Sequence, residues 1–229
     1  MKGIVSNRTK KPLQHLLNVL LLVFSTGLVA QTSLTQSFRF ESGVYKTFEE
    51  FQKNRPSYNA ADIEGNFFIN DQTRQAKVEY IRLKKNKTNL NLEELWGIVI
   101  KGIPYIKTNP SLPSHHLKVF ASLEVRGNIC YYAYDDIEEK EFLFKAYNPL
   151  IGKPFRSGSQ KRKVSVVKEK ILRFETGETV DFNYQNLLKW LEDDKEITKA
   201  LKSLGPEKAE DRLFDALLLY NDKHLIPIK

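Results

Sequence analysis

The stretch ELWGIVIKGIPYIKTN, Glu94–Asn109, decides how the rest of the chain is read. With Lys101-Gly102 as a two-residue turn, Ile100 faces Ile103 and Ile98 faces Tyr105. Side chains alternate along a strand, so Trp96, Ile98, Ile100, Ile103 and Tyr105 all fall on one side. The pattern predicts a β-hairpin that buries one face. Lys is not the favoured first residue of such a turn, and a type I turn followed by a glycine bulge is the alternative. Pro104 cannot donate a ladder hydrogen bond, which predicts an outward-facing edge position.

Two more hairpins follow by the same reasoning. In LKVFASLEVRGNICYYAY, Leu117–Tyr134, a Gly127-Asn128 turn sets Val125 opposite Cys130 and Leu123 opposite Tyr132. Cys130 then lies on an apolar face, where a thiol behaves as a small hydrophobe. No His or basic cluster flanks it in sequence to make it a reactive thiolate. Tyr131 falls on the more polar face with Ser122 and Glu124, which makes it a candidate ligand-binding residue. In ILRFETGETVDF, Ile171–Phe182, a three-residue loop with Gly177 in the left-handed conformation aligns Leu172, Phe174, Val180 and Phe182 on one face. A two-residue loop would mix polar and apolar groups on both.

Around these hairpins, Thr47 and Glu50 have capping-box spacing for a short helix carrying Phe48 and Phe51 and closed by Pro56. NFFIN (Asn66–Asn70) and AKVEYIRL (Ala76–Leu83) read as strands. From Asn183 the pattern turns helical. Asn183 caps one helix, and Asp193 with Glu196 caps a second that stops at Gly205. Pro206 opens a third with an apolar stripe of Ala209, Leu213, Ala216, Leu217 and Tyr220. Between sheet and helices, GKPFRSGSQKRK (Gly152–Lys163) reads as an exposed basic loop and a candidate internal boundary. The expected fold class is α+β: antiparallel hairpins, a short N-terminal helix and a C-terminal helical segment.

The N-terminus carries Lys2, Arg8, Lys10 and Lys11, then an apolar run from Leu16 to Phe24 and small residues leading to Ala30. That layout predicts a secretory signal peptide over residues 1–30, cleaved to leave Gln31 and a single α+β domain over 31–229. As a helix, Leu16–Ala30 would span about 22 Å at about 1.5 Å per residue. The hydrocarbon layer is about 30 Å thick, so an anchor is the weaker reading. The whole chain is +8, but four of its 36 basic residues and none of its 28 acidic ones lie in this leader. The remaining surface is near charge balance, which gives no nucleic-acid signature, and export argues against that partner. One cysteine leaves no intramolecular disulfide.

Signatures of chemistry are sparse. G-x-S-x-G, H-E-x-x-H, phosphate-loop and paired C-x-x-C patterns do not occur, and no cofactor is indicated. His115 and His116, in a Pro- and Ser-containing loop, are weak metal candidates that would need carboxylates from elsewhere. Asp135, Asp136, Glu138 and Glu139 lack the glycine and ligand spacing of a calcium loop and read as a charged turn. Lys161, Arg162 and Lys163 are candidates for contact with lipid headgroups or an anionic glycan.

Five segments together, GVYKTFEEFQKNRPS, LWGIVIKGIPYIK, LEVRGNICYYAY, ILRFETGETVDF and LLLYNDKH, give the chain a resemblance to a family of uncharacterised exported bacterial proteins with a domain of unknown function. The resemblance implies an exported location and brings no catalytic residues with it. Relative to longer, glycine-rich versions in that family, Asn148–Lys163 looks trimmed. The function expected is a periplasmic or cell-surface binding or interaction protein. The alternative is an exported hydrolase assembled from distant residues, with His115, His116 and the Asp135–Glu139 cluster as its candidates.

Overall fold

A computed structural model describes residues 33–110 and 117–228. The leader and the His115–His116 pair lie outside the described residues. The architecture is α+β with antiparallel sheets, as the sequence pattern predicts.

The Glu94–Asn109 segment forms β6 (Gly97–Ile100) and β7 (Ile103–Lys107), with Ile100 opposite Ile103 and Ile98 opposite Tyr105. Lys101 and Gly102 both have positive φ, 51° and 78°, as the two-residue turn requires, so the bulged alternative is not the one adopted. These strands sit at the centre of a seven-stranded sheet. The others are β2 (Gly43–Tyr45), β3 (Tyr58–Asn59), β4 (Ile63–Asn70), β5 (Gln75–Leu83) and β8 (Lys118–Ser122). Their order is β3-β2-β6-β7-β8-β5-β4. The outermost strands β3 and β4 are consecutive in the chain and joined by Ala60–Asp62, so the sheet curls toward a barrel.

Curling changes the expected one-sided burial. Val44, Ile98, Tyr105 and Phe120 fill the concave side with Ile81 and Val78. Their immediate neighbours Tyr45, Val99, Ile106 and Ala121 are buried on the convex side. Both faces are therefore dry. Trp96, expected beside Ile98, precedes the first strand residue and packs instead on Phe48 and Phe51 at ring distances of 5.3 and 4.6 Å. Pro104 is also corrected. β7 is an interior strand, and the imide is tolerated because the ladder to β8 begins one residue later, at Tyr105, while the Pro104 carbonyl accepts from Leu123 N–H.

The convex side meets a second sheet built from β9 (Ile129–Tyr147), β10 (Pro154–Arg173) and β11 (Thr179–Asp181). Cys130, Tyr132 and Tyr134 point to the first sheet and to α1 (Phe48–Gln52), while Ile129 and Tyr131 point the other way. That other face is covered by α2 (Tyr184–Trp190), α3 (Lys195–Leu204), α4 (Pro206–Ala209) and α5 (Leu213–Lys223). The termini of this unit meet where β1 (Ser33–Leu34) pairs with β12 (Ile226–Pro227).

Sandwiching explains two register corrections. Val125 pairs with Tyr131 rather than Cys130, and β8 and β9 belong to different sheets. In the third hairpin Ile171 faces Val180, one residue away from the expected register. Leu172 and Phe174 then enter the layer under the first sheet, while Ile171, Val180 and Phe182 meet the helices. A strand wetted on one face would have been specified by alternation, but a strand buried on both is not. Gly177 is left-handed as predicted, at φ 78°, and Phe48 packs against it.

The helical layer follows the sequence closely. Asn183 caps α2 by accepting from Asn186 N–H. The cap of α3 is Asp194 rather than Asp193, whose carboxylate accepts from the Tyr220 hydroxyl instead. Ala209, Leu213, Ala216, Leu217 and Tyr220 are all buried, although a 3-10 turn at Glu210–Arg212 interrupts the expected helix.

Candidate functional site

β9 and β10 are far longer than their neighbours, 19 and 20 residues against nine or fewer elsewhere. They start inside the sandwich and run out of it as a two-stranded arm. Their pairing continues from Arg173 opposite Ile129 to Pro154 opposite Tyr147, with one irregularity at Phe155. Up to Tyr134 the strand alternates between two buried or half-buried faces; beyond Ile137 almost every side chain on both faces is exposed. The free portion from Glu139 to Tyr147 extends about 30 Å at about 3.3 Å per residue.

The arm contradicts two sequence expectations. The Asp135–Glu139 cluster is strand rather than a charged turn, and Gly152–Lys163 is largely strand rather than a basic loop. Lys161, Arg162 and Lys163 stand mid-arm, opposite Glu141, Lys140 and Glu139. Gly, Ser and Lys have low strand propensity, so the segment reads as loop until its partner is known. Continuous pairing with β9 supplies the missing preference.

At the base, Asp135 and Asp136 project to opposite faces. Gln75 Nε2 donates to Asp135, and Asp136 Oδ1 accepts from Ile137 N–H. Glu138 accepts from Lys168 Nζ, and that hydrogen bond holds the Lys168 ammonium above its ordinary value. Asp135, Asp136 and Glu138 are thus spread along the ribbon and engaged one by one. Among the described residues no three His, Cys, Asp or Glu side chains gather where they could hold a metal ion.

Further out the chemistry changes. Phe142, Leu143 and Phe144 are successive exposed residues, so both faces of the ribbon become apolar. The Phe144 ring lies over Gly158 across the ladder, a contact that compensates for the missing glycine side chain. Arg162 lies over the Phe142 ring at 5.9 Å, with its guanidinium also bonded to Gln160. The turn itself is Pro149-Leu150-Ile151-Gly152, closed by the Asn148 N–H to Lys153 carbonyl bond. Leu143 and Leu150 are 85% and 91% exposed, and Tyr147, Ile151 and Phe155 are exposed as well. From Phe142 to Lys168 there are seven basic residues and no acidic one.

Tyr131, the aromatic candidate, is not on a binding surface. It lies edge-on to Phe182 and Phe214 in the helix-side core, and its hydroxyl donates to Glu169 Oε1 at 2.6 Å. Burial, then that carboxylate, raise its pKa. Cys130 is buried too, and desolvation pushes its thiol up to about 12. Phe142, Leu143, Leu150, Ile151 and Phe155 were missed by sequence reasoning, which took the basic composition after Gly152 as the whole signal. The usable signal was the run EFLFKAYNPLIGKPF, with large apolar residues at no consistent period and no acid after Glu141.

A separate concavity of about 340 Å³ opens where the curled sheet fails to close, between β2, β6 and β4. Val44, Ile63, Phe67 and Ile98 make its walls. Its Ser42 hydroxyl already accepts from Gly102 N–H, and no acid–base pair converges there. No family model matches the chain, and comparisons with curated proteins and with solved structures likewise found no match.

Proposed function

We propose that this is an exported interaction protein, acting in the periplasm or at the cell surface, whose contact element is the β9–β10 arm. The arm carries the reading. Large apolar side chains exposed in a contiguous group mark a surface that meets something else. Here they are presented at the end of a ribbon whose base is packed on both faces. The leader predicted over residues 1–30 supports the exported location. The hydrolase alternative draws no support from Asp135–Glu139, because strand geometry spreads those carboxylates over two faces.

Photo-crosslinking tests the reading. A benzophenone amino acid placed at Leu143 or Leu150 in the full chain, expressed with its leader in envelope-bearing cells, is expected to yield adducts on irradiation. The same probe at Lys199, exposed on the helical layer, is expected to yield none. Absence of adducts at both arm positions, or equal yield at Lys199, would overturn the proposal.

A further inference from the structure

We infer that the partner of the arm is an anionic lipid surface, into which the turn inserts as an interfacial anchor. The inference rests on the arm being the contact element and names what it contacts.

Three observations favour lipid over a protein surface. First, a ribbon docking on a protein presents one face, with alternate side chains in pockets. Here Phe142 and Leu143 project to opposite faces, and the turn beyond them, with Leu150 and Ile151 exposed, is apolar as well. A medium that surrounds the tip receives the turn from every side and leaves Phe142 and Leu143, behind Lys145, at the level of the headgroups. Second, the charge at the tip is one-sided. Lys145, Lys153 and Arg156 accompany the apolar residues, with no acid from Phe142 to Arg156, whereas further back Lys161 and Lys163 face Glu141 and Glu139. Basic residues near an anionic bilayer are each attracted to it, and long stems let their charged ends reach the headgroups. Third, the dimensions fit. Lys145 and Arg156 stand about 10 Å behind the turn by strand rise. That matches the roughly 5–10 Å depth of an interfacial anchor.

The same geometry limits the depth. Beyond β11, which pairs with Lys170–Leu172 alone, neither outer edge of the ribbon has a ladder partner among the described residues. Unpaired backbone groups cannot enter the hydrocarbon core, so one copy does not cross the bilayer.

The test uses the full chain with Leu150→Cys labelled by the environment-sensitive dye NBD; Cys130 is buried and does not compete for label under native conditions. With phosphatidylglycerol-containing vesicles the emission is expected to shift to the blue and to be quenched by acyl-chain spin labels. With phosphatidylcholine vesicles the response is expected to be weak. A Lys145→Gln/Lys153→Gln/Arg156→Gln variant, with unchanged Tm, is expected to bind the anionic vesicles about a hundredfold more weakly. An Ile151→Asp variant is expected to lose the blue shift. No response to anionic vesicles, or equal binding by the triple variant, would overturn the lipid assignment. So would a blue shift that needs no vesicles and grows with protein concentration, which would assign the tip to a second copy. Crosslinks from Leu143 and Leu150 exclusively to protein would also sink the lipid assignment while leaving the arm as the contact element.

Discussion

Asn221 holds the base of the arm with both ends of its amide. Its Oδ1 accepts from Ile129 N–H at 2.9 Å and its Nδ2 donates to the Ile129 carbonyl at 2.8 Å, all buried. Asn221→Ala leaves two backbone groups without partners inside the protein. At about 1–3 kcal/mol for each orphaned group, the expected loss is about 2–6 kcal/mol, read from urea denaturation. A loss under about 0.5 kcal/mol would mean the strand end finds other donors or water. Nothing near Asn221 in the sequence announces this role, because Ile129 lies 92 positions away. Local capping was different. Thr47 and Glu50 form the expected reciprocal box, since both partners lie within one turn.

At the scale of elements, β10 shows why register was the least legible property. Ile171 and Leu172 are adjacent, and both are fully buried against different layers. Ile171→Ala and Leu172→Ala are each expected to cost about 2–5 kcal/mol. A strand with one wet face would show that cost at one of the two positions, and such a result would contradict the sandwich. The register of the central hairpin was read correctly because its turn, Lys101-Gly102, fixes the pairing without reference to what lies above or below, although its one-sided burial was not. The later hairpins have longer, irregular turns, and alternation cannot choose a register when both sides are apolar. The arm was unreadable for a related reason. Its strands depend on each other rather than on propensity, and Gly152–Lys163 looks like loop in isolation. The helices, with one apolar stripe each, were legible nearly throughout.

For the whole molecule, the buried acids set the alkaline limit of stability. Burial raises the pKa of Tyr45, Tyr131 and Tyr220, and it pushes Tyr132 and Cys130 up to about 12. A raised value in the folded state means that the native protein holds protons the unfolded chain releases. Stability from these groups is fully present below their unfolded values, about 8.5 for Cys and 10 for Tyr, and declines as pH rises through the folded values. The expected result is a Tm that falls steadily above about pH 9 to 10, with the tyrosinate absorbance of the buried tyrosines appearing together with unfolding. Tyrosinate formation complete before the far-ultraviolet signal changes would contradict the burial of these side chains. Because β9 and β10 run from the centre of the sandwich to the tip, the arm is a lever whose fulcrum is the molecule's own interior. A load borne at Leu150 travels along β9 to Tyr132 and Cys130 and along β10 to Leu172, and any partner that pulls on the tip tugs directly on the tyrosine-lined heart of the fold.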